Sequence, residues 1–290
     1  MRPFFTFLAL LGLAQTPLPA QAAQTVTDDL GRRVLLGHPP KRIISLAPSA
    51  TEILYAVGAG SKIKADTIFC DFPPAARTLP HVGGPITPNA EKIRQIGPDL
   101  IILAEQGLPP ARADVLAALW RAPVYVTAAA TYADVERDIA ALGALVGTRE
   151  ATAATLARMR AAQAAARRAV SGRPRPRVFV VVWDKPLMTA GGGSFIGDLI
   201  RQAGGDNVAE GMGQSYPSYS PERLLRDQPD AILTGANNKT LDFPGARALR
   251  AVRSRRVFYV TGDLTDRPGP RLGLGLLAVA RALHPEGFAK

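Results

Sequence analysis

The chain has 290 residues, 47% of them hydrophobic and 20% charged, the balance of an ordinary globular protein of about two domains. That balance excludes a disordered polypeptide and a multispan membrane protein. The formal charge of +11 comes from arginines spread through helices and loops, and no nucleic-acid recognition motif accompanies it, so no nucleic-acid partner is expected.

The amino end reads Met1-Arg2-Pro3, then an apolar run from Phe4 to Ala14, then a polar stretch ending Ala20-Gln21-Ala22. A basic start, a short apolar centre and an Ala-x-Ala site predict a cleaved secretory signal over residues 1–22. The apolar run is well short of the roughly 20 residues that a membrane span requires. An exported, soluble periplasmic protein follows, with no Cys at the cleavage point to take a lipid. Cys70 is the single cysteine, so an intramolecular disulfide is excluded, and whether Cys70 reacts is left open.

Thr25 to Leu36 reads as a hairpin around Asp28-Asp29-Leu30-Gly31-Arg32. A buried strand follows at Arg42–Leu46, then a turn at Ala47-Pro48. Ser49-Ala-Thr-Glu52 has the spacing of a capping box for a helix that Gly58 ends. After a strand at Ile63–Thr67, the Pro- and Gly-rich stretch from Phe69 to Pro88 is a long connection of the functional kind. It carries Phe69, Asp71 and Phe72, which suit stacking on a ligand and hydrogen bonding to it; aromatics tucked under their own loop are the alternative. Asn89 caps a short helix with Glu91 in its first turn, where the dipole favours an anion. Leu100–Leu103 is a strand, Pro110–Trp120 a helix and Pro123–Val126 a strand. Thr131 caps a helix with the apolar face Val135, Ile139, Leu142 and Leu145.

Thr148 is placed to cap an uninterrupted helix over Arg149–Val170, which Gly172 ends. The sequence on either side repeats. Glu91-Lys-Ile-Arg-Gln-Ile-Gly-Pro98-Asp99 precedes a buried strand, as does Glu222-Arg-Leu-Leu-Arg-Asp-Gln-Pro229-Asp230. Val124-Tyr125-Val126-Thr127 is echoed by Phe258-Tyr259-Val260-Thr261. Two matches in the same order indicate duplication. The domain plan is therefore a signal at 1–22, an N-terminal lobe at 23–147, a linking helix at 148–171 and a C-terminal lobe at 172–290.

In the second lobe, a strand at Arg177–Trp183 leads to Gly191-Gly-Gly193, and Ser194 caps the next helix. These glycines match neither phosphate-loop nor dinucleotide spacing, and suit a tight turn or a close backbone approach. Ser220, Pro221 and Glu222 open a helix as Asn89 to Glu91 do. A strand at Val257–Val260 and a helix at Arg271–Leu283 close the chain. His38, His81 and His284 are far apart, no Gly-x-Ser-x-Gly elbow occurs, and no metal or resident cofactor is expected. The protein reads as a non-enzyme; a secreted hydrolase using the same cleft is the rival from another class.

Ligands of paired parallel-sheet lobes bind beyond the carboxyl ends of the strands. The loops expected there carry Phe69, Asp71, Phe72, Trp183, Met188, Tyr216 and Asp263. They suit a large, flat, partly apolar ligand, with Trp183 readable equally as the buried end of its strand.

Several stretches together resemble a known superfamily: Arg42-Ile-Ile-Ser-Leu-Ala-Pro-Ser-Ala-Thr-Glu52, Cys70-Asp-Phe-Pro-Pro74, Val82-Gly-Gly, Pro88-Asn-Ala-Glu91, Pro98-Asp99 and Trp183-Asp-Lys-Pro-Leu. They resemble the periplasmic substrate-binding proteins of ABC importers for vitamin B12, haem and ferric siderophores, and are most similar to the cobalamin-binding ones. The resemblance implies an α/β fold of two Rossmann-like lobes with parallel-type sheets, joined by one long rigid helix, with the ligand cleft between them. It implies capture of a metal chelate, a corrinoid first, and delivery to the permease and ATPase of an inner-membrane ABC importer. Glu91 and Glu222 match the pair that docks on permease arginines. Phe69 and Tyr216 fall where the cobalamin binders hold aromatics against the corrin. Met188 falls where they have a Phe, and Pro85 and Ala104 where they have tryptophans, which keeps haem and ferric siderophores open. For haem, Tyr216, Tyr219 or His81 would be the axial ligand. A monomer is expected.

Overall fold

The computed structural model describes residues 24–289 apart from 106, 236–240 and 261. The expected signal sequence and Thr261 of the repeat lie outside the described residues. The chain opens on an antiparallel hairpin, β1 (Gln24–Thr27) and β2 (Arg33–Leu36), turned at Gly31 with φ +75°. The first lobe then runs β3 (Ile43–Ser45), α1 (Pro48–Ala56), β4 (Ile63–Ala65), α2 (Ala90–Ile96), β5 (Leu100–Ala104), α3 (Pro110–Trp120), β6 (Val124–Thr127) and α4 (Tyr132–Val146). The long helix is α5 (Arg149–Val170). The second lobe follows with β7 (Arg177–Val181), β8 (Trp183–Asp184), β9 (Leu187–Met188), α6 (Phe195–Gln202), β10 (Asp206–Asn207), α7 (Pro221–Asp227) and β11 (Ala231–Thr234). It ends with α8 (Arg250–Arg253), β12 (Val257–Tyr259), α9 (Gly262–Thr265) and α10 (Leu272–Leu283).

Each lobe holds one parallel sheet, β4-β3-β5-β6 in the first and β10-β7-β11-β12 in the second. In both, the strands lie in the order second, first, third, fourth of that lobe's sheet. The topology thus repeats as the sequence does. Helices cover the sheet faces, so the central strands are apolar throughout: Leu100 to Leu103 and Ala231 to Leu233 are all buried.

The Pro-Asp repeat has the same physical use twice. Asp99 accepts the backbone N–H of Lys41 at 2.8 Å and of Arg42 at 2.9 Å, and its own N–H donates to Arg42 O. Asp230 accepts the N–H of Arg177 at 2.9 Å and donates its own to Arg177 O. Each aspartate therefore locks the start of one central strand to that of its neighbour. The glutamates correspond as well: Glu91 and Glu222 occupy the second position of α2 and α7, behind caps in which Asn89 and Ser220 accept from the third N–H.

Helix α5 spans roughly 33 Å at about 1.5 Å per residue. It buries one face, Thr152, Thr155, Met159, Ala166 and Ala169, against α4 and α10. Small residues allow the approach: a Cβ at Gly143 would run into the Thr152 side chain, and one at Gly273 would lie 3.2 Å from Ala162 Cβ. The helix is tied to both lobes, Thr155 Oγ1 donating to Ala56 O at 2.9 Å and Gln163 Nε2 to Gln202 Oε1 at 2.7 Å. Tyr132 joins the lobes directly, its N–H donating to Asp198 Oδ2 at 2.8 Å while its hydroxyl donates to Met159 O.

Local readings that change do so for stated reasons. Thr148 precedes α5 without capping it by its side chain. The Ser49–Glu52 capping box does not form: α1 starts two residues earlier than that box would set, at Pro48 behind an uncapped Ala47, and Glu52 turns to the other lobe. The strand expected over Ile63–Thr67 stops at Ala65, and that over Arg177–Trp183 stops at Val181, with Trp183 in a separate two-stranded ribbon. Gly191 makes a close approach to protein rather than to a ligand, since a Cβ there would strike the Gln214 carbonyl oxygen.

Candidate functional site

The loop from Phe69 to Phe72 is held from below. Cys70 is buried, with the hydroxyls of Thr51 and Thr67 at 3.2 and 3.3 Å from its sulfur, and burial pushes its thiol pKa up. With Cys70 pinned inward, its neighbours point out: Phe69 is 55% exposed, and Asp71 and Phe72 reach toward the second lobe. The tucked-aromatic alternative fails for Phe69.

Across the cleft stands the segment after β12. Arg267 Nη1 donates to Asp71 Oδ1 at 2.6 Å and to Glu52 Oε1 at 3.2 Å, while Arg267 Nη2 lies 3.3 Å from Asp263 Oδ1. Arg271 grips Glu52 with two bonds, 2.8 Å from Nε and 2.6 Å from Nη2, and its guanidinium lies 4.0 Å from the Phe72 ring centroid. The Arg267 hydrogen bond holds the Asp71 carboxyl below its ordinary pKa. Three expected residues, Asp71, Phe72 and Asp263, thus meet around two arginines and a buried glutamate that the sequence reading missed. One signal was present: Asp263 and Arg267 are four residues apart, and Pro268-Gly269-Pro270 separates Arg267 from Arg271.

A cavity of about 360 Å³ opens at the carboxyl ends of β7 and β11. Val180, Leu233 and Val260 give it apolar walls, and Trp183, Asp263 and Asp266 also line it. Trp183 is 57% exposed, so it is not the buried end of a strand. It pairs with Met188 across the β8–β9 ribbon, and Met188 bridges to Ser218, two residues from Tyr216. The ribbon therefore sets Trp183 beside Met188, with Tyr216 close in the chain to its Ser218 neighbour. Tyr216 is half-buried against the core, and burial, then the nearby Asp266, push its hydroxyl pKa up. Burial also raises the Asp266 carboxyl, despite a hydrogen bond from Thr265 Oγ1 at 3.0 Å.

Tyr219 is removed from the haem-ligand candidates. Its ring packs edge-on to Phe179 at 5.0 Å inside the lobe, and its hydroxyl is bound by Asp227. His81 is tied through Nδ1 to Asp66 Oδ1 at 2.7 Å, and burial raises the Asp66 pKa to about 6. Among the described residues no group of three or more His, Cys, Asp and Glu is placed to hold a metal ion, and no helix is long and apolar enough to cross a membrane. Glu91 and Glu222 are exposed, and among the described residues neither enters an ion pair.

The two-lobed fold is shared with known proteins. The family model described as periplasmic binding protein matches residues 43–264. A vitamin B12-binding protein of Vibrio cholerae is 32% identical over 236 residues, 80% of this chain and 85% of that one. The crystal structure of the periplasmic vitamin B12-binding protein BtuF of Vibrio cholerae superimposes with a TM-score of 0.76 at 30% identity, covering 87% of this chain and 99% of that one. The periplasmic haem-binding protein RhuT of Roseiflexus sp. RS-1 gives a TM-score of 0.73 at 25% identity, with coverage of 85% and 99%.

Proposed function

The chain belongs to the periplasmic binding protein family, and we propose that it captures a corrinoid and delivers it to an inner-membrane ABC importer. Relatives in this family are substrate-binding proteins of transporters rather than enzymes, and they support an extracytoplasmic location. The observation that carries the ligand reading is the aromatic mouth of the cleft. Exposed Phe69 stands on one lobe and exposed Trp183 on the other, linked through Asp71, Arg267 and Asp263. Large exposed aromatics on cleft loops are costly to leave in water and suit a wide, flat ligand. Tyr216 and Met188 extend that surface on the second lobe.

Glu91 and Glu222 are proposed as the permease-docking pair, one per lobe, their carboxylates free for charge-assisted bonds to arginines. The mature protein is proposed to start after residue 22 and to act as a monomer in the periplasm, which mass spectrometry and light scattering of the secreted product check. Haem and ferric siderophores are the second reading, supported by the haem-binding neighbour in the same fold.

Calorimetric titration of the mature protein with cyanocobalamin, haemin and a ferric siderophore tests the assignment. One-to-one submicromolar binding of cyanocobalamin is expected. Binding of haemin or the siderophore without cyanocobalamin moves the ligand, and no binding of any of the three removes the receptor reading.

A further inference from the structure

The charge arrangement of the cleft says more about the ligand than its aromatics do. Two guanidinium groups, Arg267 and Arg271, meet three carboxyl groups, Glu52, Asp71 and Asp263, and a fourth, Asp266, lines the cavity with Asp263. Both arginines are mostly buried, and both are already taken. Arg271 is filled by the two-bond grip on Glu52 and by the Phe72 ring, Arg267 by carboxylates from three places in the chain. A ligand carboxylate entering here would have to displace an internal one, and would then face the remaining acids. Breaking such a buried pair is costly, and bringing like charges together in a cleft weakens binding further. A ligand edged with neutral amides finds acceptors instead.

We propose that Asp71 is a specificity-determining residue: by holding Arg267 across the cleft, it reserves the site for chelates with uncharged, donor-bearing edges and turns away those presenting carboxylates. This rests on the chelate-receptor reading above and narrows it. Asp71 is the member of the network best placed for the role, because it lies on the ligand loop, is nearly half exposed, and makes the shortest of the three Arg267 pairs.

The test pairs each chelate with a derivative that exchanges amide for carboxylate at its edge: cyanocobalamin with a monocarboxylate made by hydrolysing one side-chain amide, and haemin with its diamide. In calorimetry the wild-type protein should bind the uncharged member of a pair at least about tenfold more tightly. In Asp71→Asn, which removes the shortest of the three carboxylate pairs on Arg267 and opens that side of the guanidinium to the cleft, the ratio should fall to about threefold or less through tighter binding of the acid, while Asp71→Glu should keep the wild-type preference. Circular dichroism confirms that each variant is folded. Equal binding of acid and amide by the wild type, or an unchanged ratio in Asp71→Asn, overturns the proposal. Failure of cyanocobalamin alone overturns the corrinoid assignment, and the haemin pair then still reads the edge preference. Loss of every chelate overturns both.

Discussion

The two lobes share a frame and differ in the loops that edge the cleft. Each lobe has the same strand order, an aspartate clamping two central strands at their amino ends, and a short capped helix with a glutamate at its second position. In the loops that edge the cleft the likeness stops. The first lobe offers a loop anchored by buried Cys70, and the second offers a ribbon bearing Trp183 together with a pair of arginines. A duplicated frame thus retains what a two-fold partner would grip, while its cleft edges diverge to surround a ligand that has no such symmetry.

The strongest way to break this comparison is to remove the shared feature. With Glu91→Ala and Glu222→Ala combined, uptake of labelled cobalamin in reconstituted vesicles should fall by at least about a hundredfold while ligand affinity is unchanged. Each single variant should show a similar partial loss; full uptake by the double variant removes the docking assignment.

A feature unique to the interlobe contact comes next. Glu52→Ala leaves Arg271 without its carboxylate in a largely buried place, and should destabilise the protein by about 3 kcal/mol in urea unfolding. A change below about 0.5 kcal/mol would mean that water reaches Arg271 freely, as at an exposed ion pair.

The divergent edges are sharpened by Trp183→Ala, expected to weaken ligand binding about tenfold. Trp120, the other tryptophan, is buried in the first lobe, so ligand-induced quenching of fluorescence should vanish in Trp183→Phe. Quenching that persists places the ligand elsewhere.

The smallest effect compares the clamps. Asp99→Ala and Asp230→Ala should each cost about 1 to 2 kcal/mol, because each strips acceptors from strand-opening N–H groups. For Asp230 the effect has a pH signature. Burial raises its pKa, but bonds from the Arg177 backbone and the Arg250 guanidinium outweigh this and leave the folded value below normal. Its contribution is therefore complete above the unfolded pKa of about 3.9 and is lost as the pH falls below it. The stability gap between wild type and Asp230→Asn should close in acid; a gap that stays constant to pH 2 contradicts the linkage.

Legibility in the sequence followed the range of the interaction. The caps at Asn89 and Ser220 were visible because they act on backbone groups at fixed spacing, whereas the Pro98-Asp99 and Pro229-Asp230 repeat marked the clamp positions without showing what the aspartates hold. Also visible was the long helix, whose residues lack any breaker between Arg149 and Val170. Glu52 was misread because Ser-x-x-Glu has a local meaning, while its actual partner stands 219 residues further on. Trp183 was undecided because an apolar run gives no sign of where a parallel strand leaves its sheet. The Gly191–Gly193 run could not show that what it accommodates is the backbone near Gln214.

The unbroken helix α5, buried along one face and tied to both lobes, also bears on traffic. With the lobes on such a frame, the two proposed docking carboxylates are expected to keep nearly the same separation whether the cleft is full or empty, which scattering profiles with and without ligand check. An importer that measured only that separation could not tell the two states apart, so unloaded receptors would occupy it as competitors. Flux would then track the fraction of receptors carrying cargo, and overproducing the receptor without ligand would slow uptake.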